Sequence, residues 1–162
     1  EAVPGDKFVF AQRMIKVPSS RVGAELVREA EKIIALHEAG RDAEIPETGM
    51  GVTTVVAEAY TRKRLEHGPD ELPLHLCALA FGDVAITGAP GEPFTEIGRS
   101  VKAASPFAMT LYCCCANGSE GYYPMRTAYD EGGYEARSSK YGAGVAEVII
   151  EQGSALLREL KK

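Results

Sequence analysis

Apolar residues along the chain follow strand-like spacing in some segments and helical spacing in others. Residues 7–17 (KFVFAQRMIKV) are rich in β-forming side chains and predict a strand that Pro18 ends. Ser19 and Ser20 then offer N-caps for an amphipathic helix, which Gly40 ends. The apolar positions at helical spacing in that helix are Val22, Leu26, Val27, Ala30, Ile33 and Ile34.

The rest of the chain alternates between the same two patterns. Residues 52–67 begin with β-branched side chains, but their spacing favours a helix that packs one face. Phe81-Gly82-Asp83 indicates a β-hairpin turn. The other predicted segments are a loop at 41–51, strands at 72–80 and 83–87, a break at 88–93, a helix at 94–104, a buried strand at 107–116, an irregular segment at 124–141 and a helix at 145–160.

This order of elements predicts an α/β fold. Strands alternating with helices in the second half favour a mixed sheet flanked by helices. With 162 residues, the chain is expected to be a single domain or part of a larger α/β domain.

Composition narrows the range of functions. The net charge of −5 argues against a general nucleic-acid binder, which needs a basic face to neutralise phosphates. No apolar run is long enough for a transmembrane segment. The first residues show no initiator Met and no signal peptide, so the simplest interpretation is an isolated domain or a processed piece of a longer protein. The sequence does not predict its compartment.

The four cysteines do not form a metal-binding or redox motif. Cys77 stands alone, and Cys113, Cys114 and Cys115 are consecutive, with no C-x-x-C pair. We expect the three adjacent cysteines to act as small hydrophobic side chains in the buried strand.

Two segments could carry chemistry. The first is Pro90-Gly91-Glu92, between a predicted strand and helix, where open α/β sheets place ligand sites. Glu92 is equally well explained as a residue that caps the following helix. The second is the glycine-rich segment 117–142, which holds five of the seven tyrosines. Their hydroxyls could bind a metal or an oxyanion, although rings that pack a long loop onto the core explain them too.

Together these segments resemble the neutral/alkaline non-lysosomal ceramidases. That family has a strand running into Pro-Gly-Glu, a later strand ending in Asn, and then Tyr-x6-Tyr-x4-Tyr-Glu-x5-Tyr-Gly. The matching residues here are Pro90-Gly91-Glu92, Asn117, Tyr122, Tyr129, Tyr134-Glu135 and Tyr141-Gly142. The resemblance covers residues 72–142 well and the N-terminal strand and helix loosely. It implies that residues 1–162 are the C-terminal part of a ceramidase-like catalytic domain.

The resemblance also implies roles for single residues. The family binds a catalytic Zn²⁺ with two His, one Glu and one Tyr, so Glu92 and Tyr122 match two of the ligands. Tyr134 matches a tyrosine that polarises the scissile amide carbonyl, and Asn117 and Tyr129 are expected to contact substrate. His37, His67 and His75 do not match the zinc histidines, which the family carries upstream together with its catalytic Ser.

Two functions follow as hypotheses. The first is the C-terminal fragment of a zinc-dependent amide hydrolase acting on ceramide or a related lipid or amide, inactive without the missing N-terminal part of the same protein. Pro93 and Glu96, and Tyr123-Pro124 after the Tyr ligand, depart from the family, which bears on ceramide more than on amide hydrolysis. The second is a non-catalytic α/β binding or assembly domain with a degenerate metal site.

Overall fold

The computed structural model describes residues 8–162 and is built around a four-stranded mixed sheet. The strands lie side by side in the order β1, β2, β3, β5. Their bounds are β1 Phe8–Pro18, β2 Glu71–Phe81, β3 Val84–Gly88 and β5 Met109–Cys113. A separate two-stranded sheet consists of β4 Glu92–Pro93 and β6 Tyr122–Tyr123. The α/β class and the mixed sheet predicted from the sequence are confirmed.

The hydrogen-bond pattern of the main sheet follows from its connections. β1 and β2 pair antiparallel from Phe8 opposite Phe81 to Pro18 opposite Glu71. The predicted hairpin between β2 and β3 is confirmed, and Gly82 takes the positive φ that its two-residue turn requires. β5 pairs parallel with β3, because helix α3 (Thr95–Ala103) carries the chain back across the sheet.

One face of the sheet carries the hydrophobic core. Helices α3 and α6 (Val145–Leu160) pack against it, which matches the apolar spacing read from both segments. The core includes the largely or fully buried side chains of Val17, Leu74, Leu76, Ile97, Val101, Ile149 and Leu157. The opposite face carries large exposed side chains such as Phe10 and Met109, and we call it the open face.

The remaining long helices form a hairpin beside the sheet. α1 (Ala24–Glu38) packs on α2 (Met50–Arg64), and α2 packs on α5 (Tyr134–Ser138). The predicted serine caps are wrong: Gly23 is the N-cap of α1, and no side chain caps the helix. Ser20 instead donates to the Ser139 carbonyl at 2.9 Å, because the end of β1 pairs with the segment around Tyr141.

The segment 124–141 is more regular than predicted. It contains α4 (Arg126–Glu131) and α5, separated by Gly132 in the left-handed conformation that ends α4. The end of this segment is bound to β1, because the Gly142 N–H donates to the Pro18 carbonyl at 2.8 Å. A Cβ at Gly142 would lie 2.7 Å from the Ser19 carbonyl oxygen. The residue after Tyr141 must therefore be glycine for steric reasons.

The prediction of a buried strand over 107–116 is wrong in extent and in burial. β5 covers only Met109–Cys113, and Cys113, Cys114 and Cys115 are all exposed. Two causes account for this. The strand lies at the edge of the sheet with one side on the open face, and the chain turns away after Cys113, with Cys115 in the left-handed region at φ 51°.

Within residues 8–162, no helix is both long and apolar enough to cross a membrane.

Candidate functional site

The segment from Pro90 to Phe94 is held between two stretches of backbone beyond the end of β3. On one side, the Cys115 N–H donates to the Gly91 carbonyl at 2.7 Å. On the other side, the Glu92 N–H donates to the Gly121 carbonyl at 2.8 Å. Hydrogen bonds on both sides fix the backbone that carries Glu92.

Gly91 is required because the packing around it is tight. A Cβ at this position would lie 2.5 Å from the Gly121 carbonyl oxygen and 2.7 Å from the ring of Tyr123. Tyr123 is fully buried, so its ring cannot move aside easily. The glycine of the Pro-Gly-Glu motif therefore lets the strand that carries Glu92 approach the strand that carries Tyr122.

This approach brings Glu92 and Tyr122 together, although 29 residues separate them. They are register partners in the parallel pair of β4 and β6. The negative charge of the Glu92 carboxylate, followed by burial, raises the pKa of the Tyr122 phenol above its ordinary value. Glu92 is exposed, and α3 begins with Phe94 as its N-cap and no side-chain cap, so Glu92 does not cap that helix.

Tyr134 lies beside Tyr122 at the first turn of α5. Their ring centroids are 6.1 Å apart with an interplanar angle of 76°, the edge-to-face arrangement that aromatic pairs favour. The charge of Glu135 contributes to the raised pKa of Tyr122, so a second carboxylate is close by. Tyr134 is 36% exposed, which leaves it accessible to a bound molecule.

Two thiols near Glu92 were not predicted as part of this site. Burial, followed by Cys114 and then Glu92, raises the pKa of the Cys115 thiol. Cys115 has a positive φ, which is costly for a side chain with a Cβ. Only one weak sequence signal pointed to this, namely that the cysteines shortly precede the Asn-Gly turn at Asn117.

The donor set suits a divalent metal only in part. A carboxylate oxygen and a phenol oxygen are chemically appropriate zinc ligands, but tight catalytic sites use three or more protein ligands. Across residues 8–162, no three His, Cys, Asp or Glu side chains are grouped so that they could hold a metal ion. Glu92 and Tyr122 therefore offer two oxygen donors, fewer than a tight metal site needs.

The other sequence-predicted site residues lie elsewhere. Tyr129 donates through its hydroxyl to the Tyr141 carbonyl at 2.8 Å, and burial raises the pKa of Tyr129 to about 12. It lines a cavity of about 350 Å³ together with Arg137. Asn117 has a left-handed φ of 63°, and its side-chain amide donates to the Cys77 sulfur at 3.3 Å.

None of the three histidines belongs to the cluster around Glu92. His37 lies in α1 and contacts Asp42, and His75 lies in β2, both as predicted. His67 is not helical, because α2 ends at Arg64 and leaves His67 in the following turn.

A cleft of about 260 Å³ adjoins the Glu92 segment. Pro93 and Cys114 line one part of it, and Arg99 and Lys102 of α3 line another. Phe94 and Tyr112 contribute apolar surface. The cleft thus combines apolar walls with two cationic side chains, and it reaches Pro93, the residue after Glu92.

Two solved structures are similar to this chain. The crystal structure of a neutral ceramidase from Pseudomonas aeruginosa matches 96% of this chain and 28% of that chain, at 18% identity and a TM-score of 0.56. A ceramidase complexed with C2 matches 57% of this chain and 15% of that chain, at 25% identity and a TM-score of 0.48. No known family model and no curated protein matches the sequence.

The match to the Pseudomonas aeruginosa enzyme, with a TM-score of 0.56 over nearly the whole chain, confirms the resemblance to neutral ceramidase at the level of the fold. The chain spans less than a third of the length of either matching structure.

Proposed function

We propose that this chain is the C-terminal part of the catalytic domain of a zinc-dependent amide hydrolase of the neutral ceramidase type. Its substrate would be ceramide or a related lipid amide, cleaved at the N-acyl bond. The observation that carries the proposal is the register pairing of Glu92 with Tyr122, with the Tyr134 ring 6.1 Å from that of Tyr122.

Glu92 and Tyr122 would bind the zinc ion through their carboxylate and phenol oxygens. When bound, zinc supplies a Lewis acid and lowers the pKa of a coordinated water. Since two ligands are too few for tight binding, the remaining ligands come from the part of the protein upstream of this chain. The isolated chain is therefore expected to be inactive.

Tyr134 would stabilise the negative charge that develops on the amide oxygen. Its ring is anchored edge-to-face against Tyr122 while its side chain remains accessible. A hydroxyl held in place before the reaction stabilises an oxyanion better than water does, because it needs no reorientation.

The adjoining cleft would hold part of the substrate. Pro93 directly follows Glu92 in the chain and lines this cleft, so a molecule bound there lies beside the proposed metal ligand. Arg99 and Lys102 would contact polar groups of the substrate, and Phe94 would pack against an aliphatic part.

Hydrolysis of a short-chain fluorescent ceramide and of a simple N-acyl amine by the longer protein tests this proposal. We expect fatty-acid release that a chelator abolishes and added Zn²⁺ restores, and no release by the 162-residue chain. Hydrolysis that is unaffected by the chelator, or hydrolysis by the short chain, would contradict it.

A second candidate function is a non-catalytic binding or assembly domain with a degenerate metal site. The lack of any three-ligand cluster among the described residues favours it. If the longer protein binds no zinc and releases no fatty acid from either substrate, this alternative replaces the hydrolase.

A further inference from the structure

The open face of the main sheet has the side-chain pattern of a protein interior. Residues paired across neighbouring strands project to the same side of a sheet, so the register assigns them to rows. The first row is Phe8, Phe81, Val84 and Met109. The next row is Phe10, Leu79, Ile86 and Leu111. Every position in these two rows is apolar, and neither contains a charge.

The third row continues this pattern toward the candidate site. It contains Gln12, Cys77, Gly88 and Cys113, again without a charge. Cys113 lies two residues before Cys115, so the open face extends to the end of the sheet beside Glu92. The solvated face of a sheet normally carries polar and charged side chains, whereas these three rows carry no charge and Gln12 as their one amide side chain.

No helix packs closely over this face in the part of the chain that the structure describes. The sheet contacts of α3 and α6 are on the opposite side, where the core residues lie, and α1 and α2 pack on each other and on α5. Over these three rows the sheet is therefore largely apolar on both sides but covered on one. Farther along β1 and β2 the same face continues with Met14 opposite His75 and Lys16 opposite Pro73. Parallel strand pairs such as β3 and β5 are normally covered on both faces.

We propose that the open face is a docking surface for a further apolar layer contributed by the remainder of a longer polypeptide of which this chain is part. In the neutral ceramidase with the same fold, nearly three-quarters of the chain lies outside the shared region. A chain of that length supplies a covering layer without a second molecule. The inference depends on the sheet and not on the metal chemistry proposed above.

The native methionines provide a test that needs no mutation. Met14 and Met109 lie on the open face and are 64% and 56% exposed. Met50, at the start of α2 and 73% exposed, is the matched control away from this face. Met125 packs against the core and reports whether the protein stays folded.

Oxidation by dilute hydrogen peroxide, followed by mass spectrometry, measures each methionine in the longer protein and in the 162-residue chain. In the short chain, Met14, Met109 and Met50 should oxidise at similar rates, with Met125 slow. In the longer protein, Met14 and Met109 should oxidise at least about tenfold more slowly than Met50, because oxidation then requires local opening of the covering layer.

Two results would overturn the proposal. One is oxidation of Met14 and Met109 at the rate of Met50 in the longer protein, which would mean that the face stays uncovered. The other is protection of both residues already in the short chain, increasing with its concentration, which would assign the face to a second copy. Neither readout depends on catalysis, so loss of the hydrolase proposal would leave this test intact.

Discussion

Four tyrosines in one segment, spaced 7, 5 and 7 residues apart, have two different environments. Tyr141 is fully buried, and Tyr129 is half-buried with its hydroxyl donating to the Tyr141 carbonyl. Tyr122 and Tyr134 instead pack edge-to-face on each other next to Glu92 and remain partly accessible. The spacing in the sequence is similar for both pairs, but the surrounding backbone buries one pair against the core and leaves the other accessible beside Glu92.

Truncating one ring from each pair should give the largest difference between the two pairs, measured as loss of stability. Tyr141→Ala removes a fully buried ring and should lower the free energy of unfolding by about 3–5 kcal/mol, as for other large core aromatics. Tyr134→Ala removes a partly exposed ring and should cost less than about 1 kcal/mol. Urea unfolding of both variants measures the difference. Equal losses would mean that Tyr134 also supports the core.

Removing single hydroxyls should have the opposite ranking in an activity assay, with the larger effect at Tyr134 and the smaller at Tyr141. In the longer protein, Tyr134→Phe should lower kcat by roughly 100- to 1000-fold with little change in KM, as for loss of an oxyanion donor. Tyr141→Phe, whose hydroxyl faces Glu120 at 3.3 Å, is the matched control and should leave kcat nearly unchanged. Similar and mild kinetics for both variants would remove Tyr134 from the mechanism.

Two glycines near the site should respond differently to a methyl group. Gly91→Ala places a Cβ against the Gly121 carbonyl and the Tyr123 ring, and should destabilise the chain by about 1–3 kcal/mol. Gly98→Ala is the control, because its Cβ would make ordinary contact with Tyr112 at 3.5 Å and α3 would gain helix propensity. Thermal unfolding measures both. A Gly91→Ala variant as stable as Gly98→Ala would show that β4 and β6 are not held as tightly as described.

The smallest effect concerns the hydroxyl of Tyr129. Tyr129→Phe loses the hydrogen bond to the Tyr141 carbonyl and should cost about 1 kcal/mol, whereas Tyr60→Phe on the surface should cost almost nothing.

The same hydroxyl gives a pH dependence with a definite sign. The folded-state pKa of Tyr129, about 12, lies above the ordinary tyrosine value of about 10, so folding favours the protonated phenol. Its contribution to stability is complete below pH 10 and is lost as the pH rises toward 12. Unfolding curves over this range should show a shallower decline for Tyr129→Phe than for the unmodified chain. If the loss of stability with rising pH is the same in Tyr129→Phe, the pH dependence comes from other buried tyrosines.

Local periodicity was sufficient to predict most of the elements. The apolar spacing of α1, α3 and α6 and the Phe81-Gly82-Asp83 turn depend on neighbouring residues, and the structure bears these predictions out. The clearest failure concerns β5. Apolar composition around Cys113 indicated a buried strand, but composition does not report that a strand lies at the sheet edge with one face uncovered.

The candidate site was only partly visible in the sequence. Glu92 and Tyr122 could be named from motifs, but their contact depends on two short parallel strands and on the close approach at Gly91. Neither feature leaves a periodic signal. The Cys115 thiol lies near Glu92 because the chain turns at Cys115, which has a left-handed φ. The apolar run around it predicted a continuous strand and gave no sign of this turn.

The central claim is that Glu92 and Tyr122 belong to one zinc site, and zinc stoichiometry tests it most directly. The longer protein, dialysed against trace-metal-free buffer, should retain about one zinc per chain by atomic emission. Glu92→Gln and Tyr122→Phe should each lose most of it, and Glu96→Gln, which removes an exposed carboxylate in the first turn of α3, should keep it. Full zinc occupancy in both Glu92→Gln and Tyr122→Phe would contradict the account.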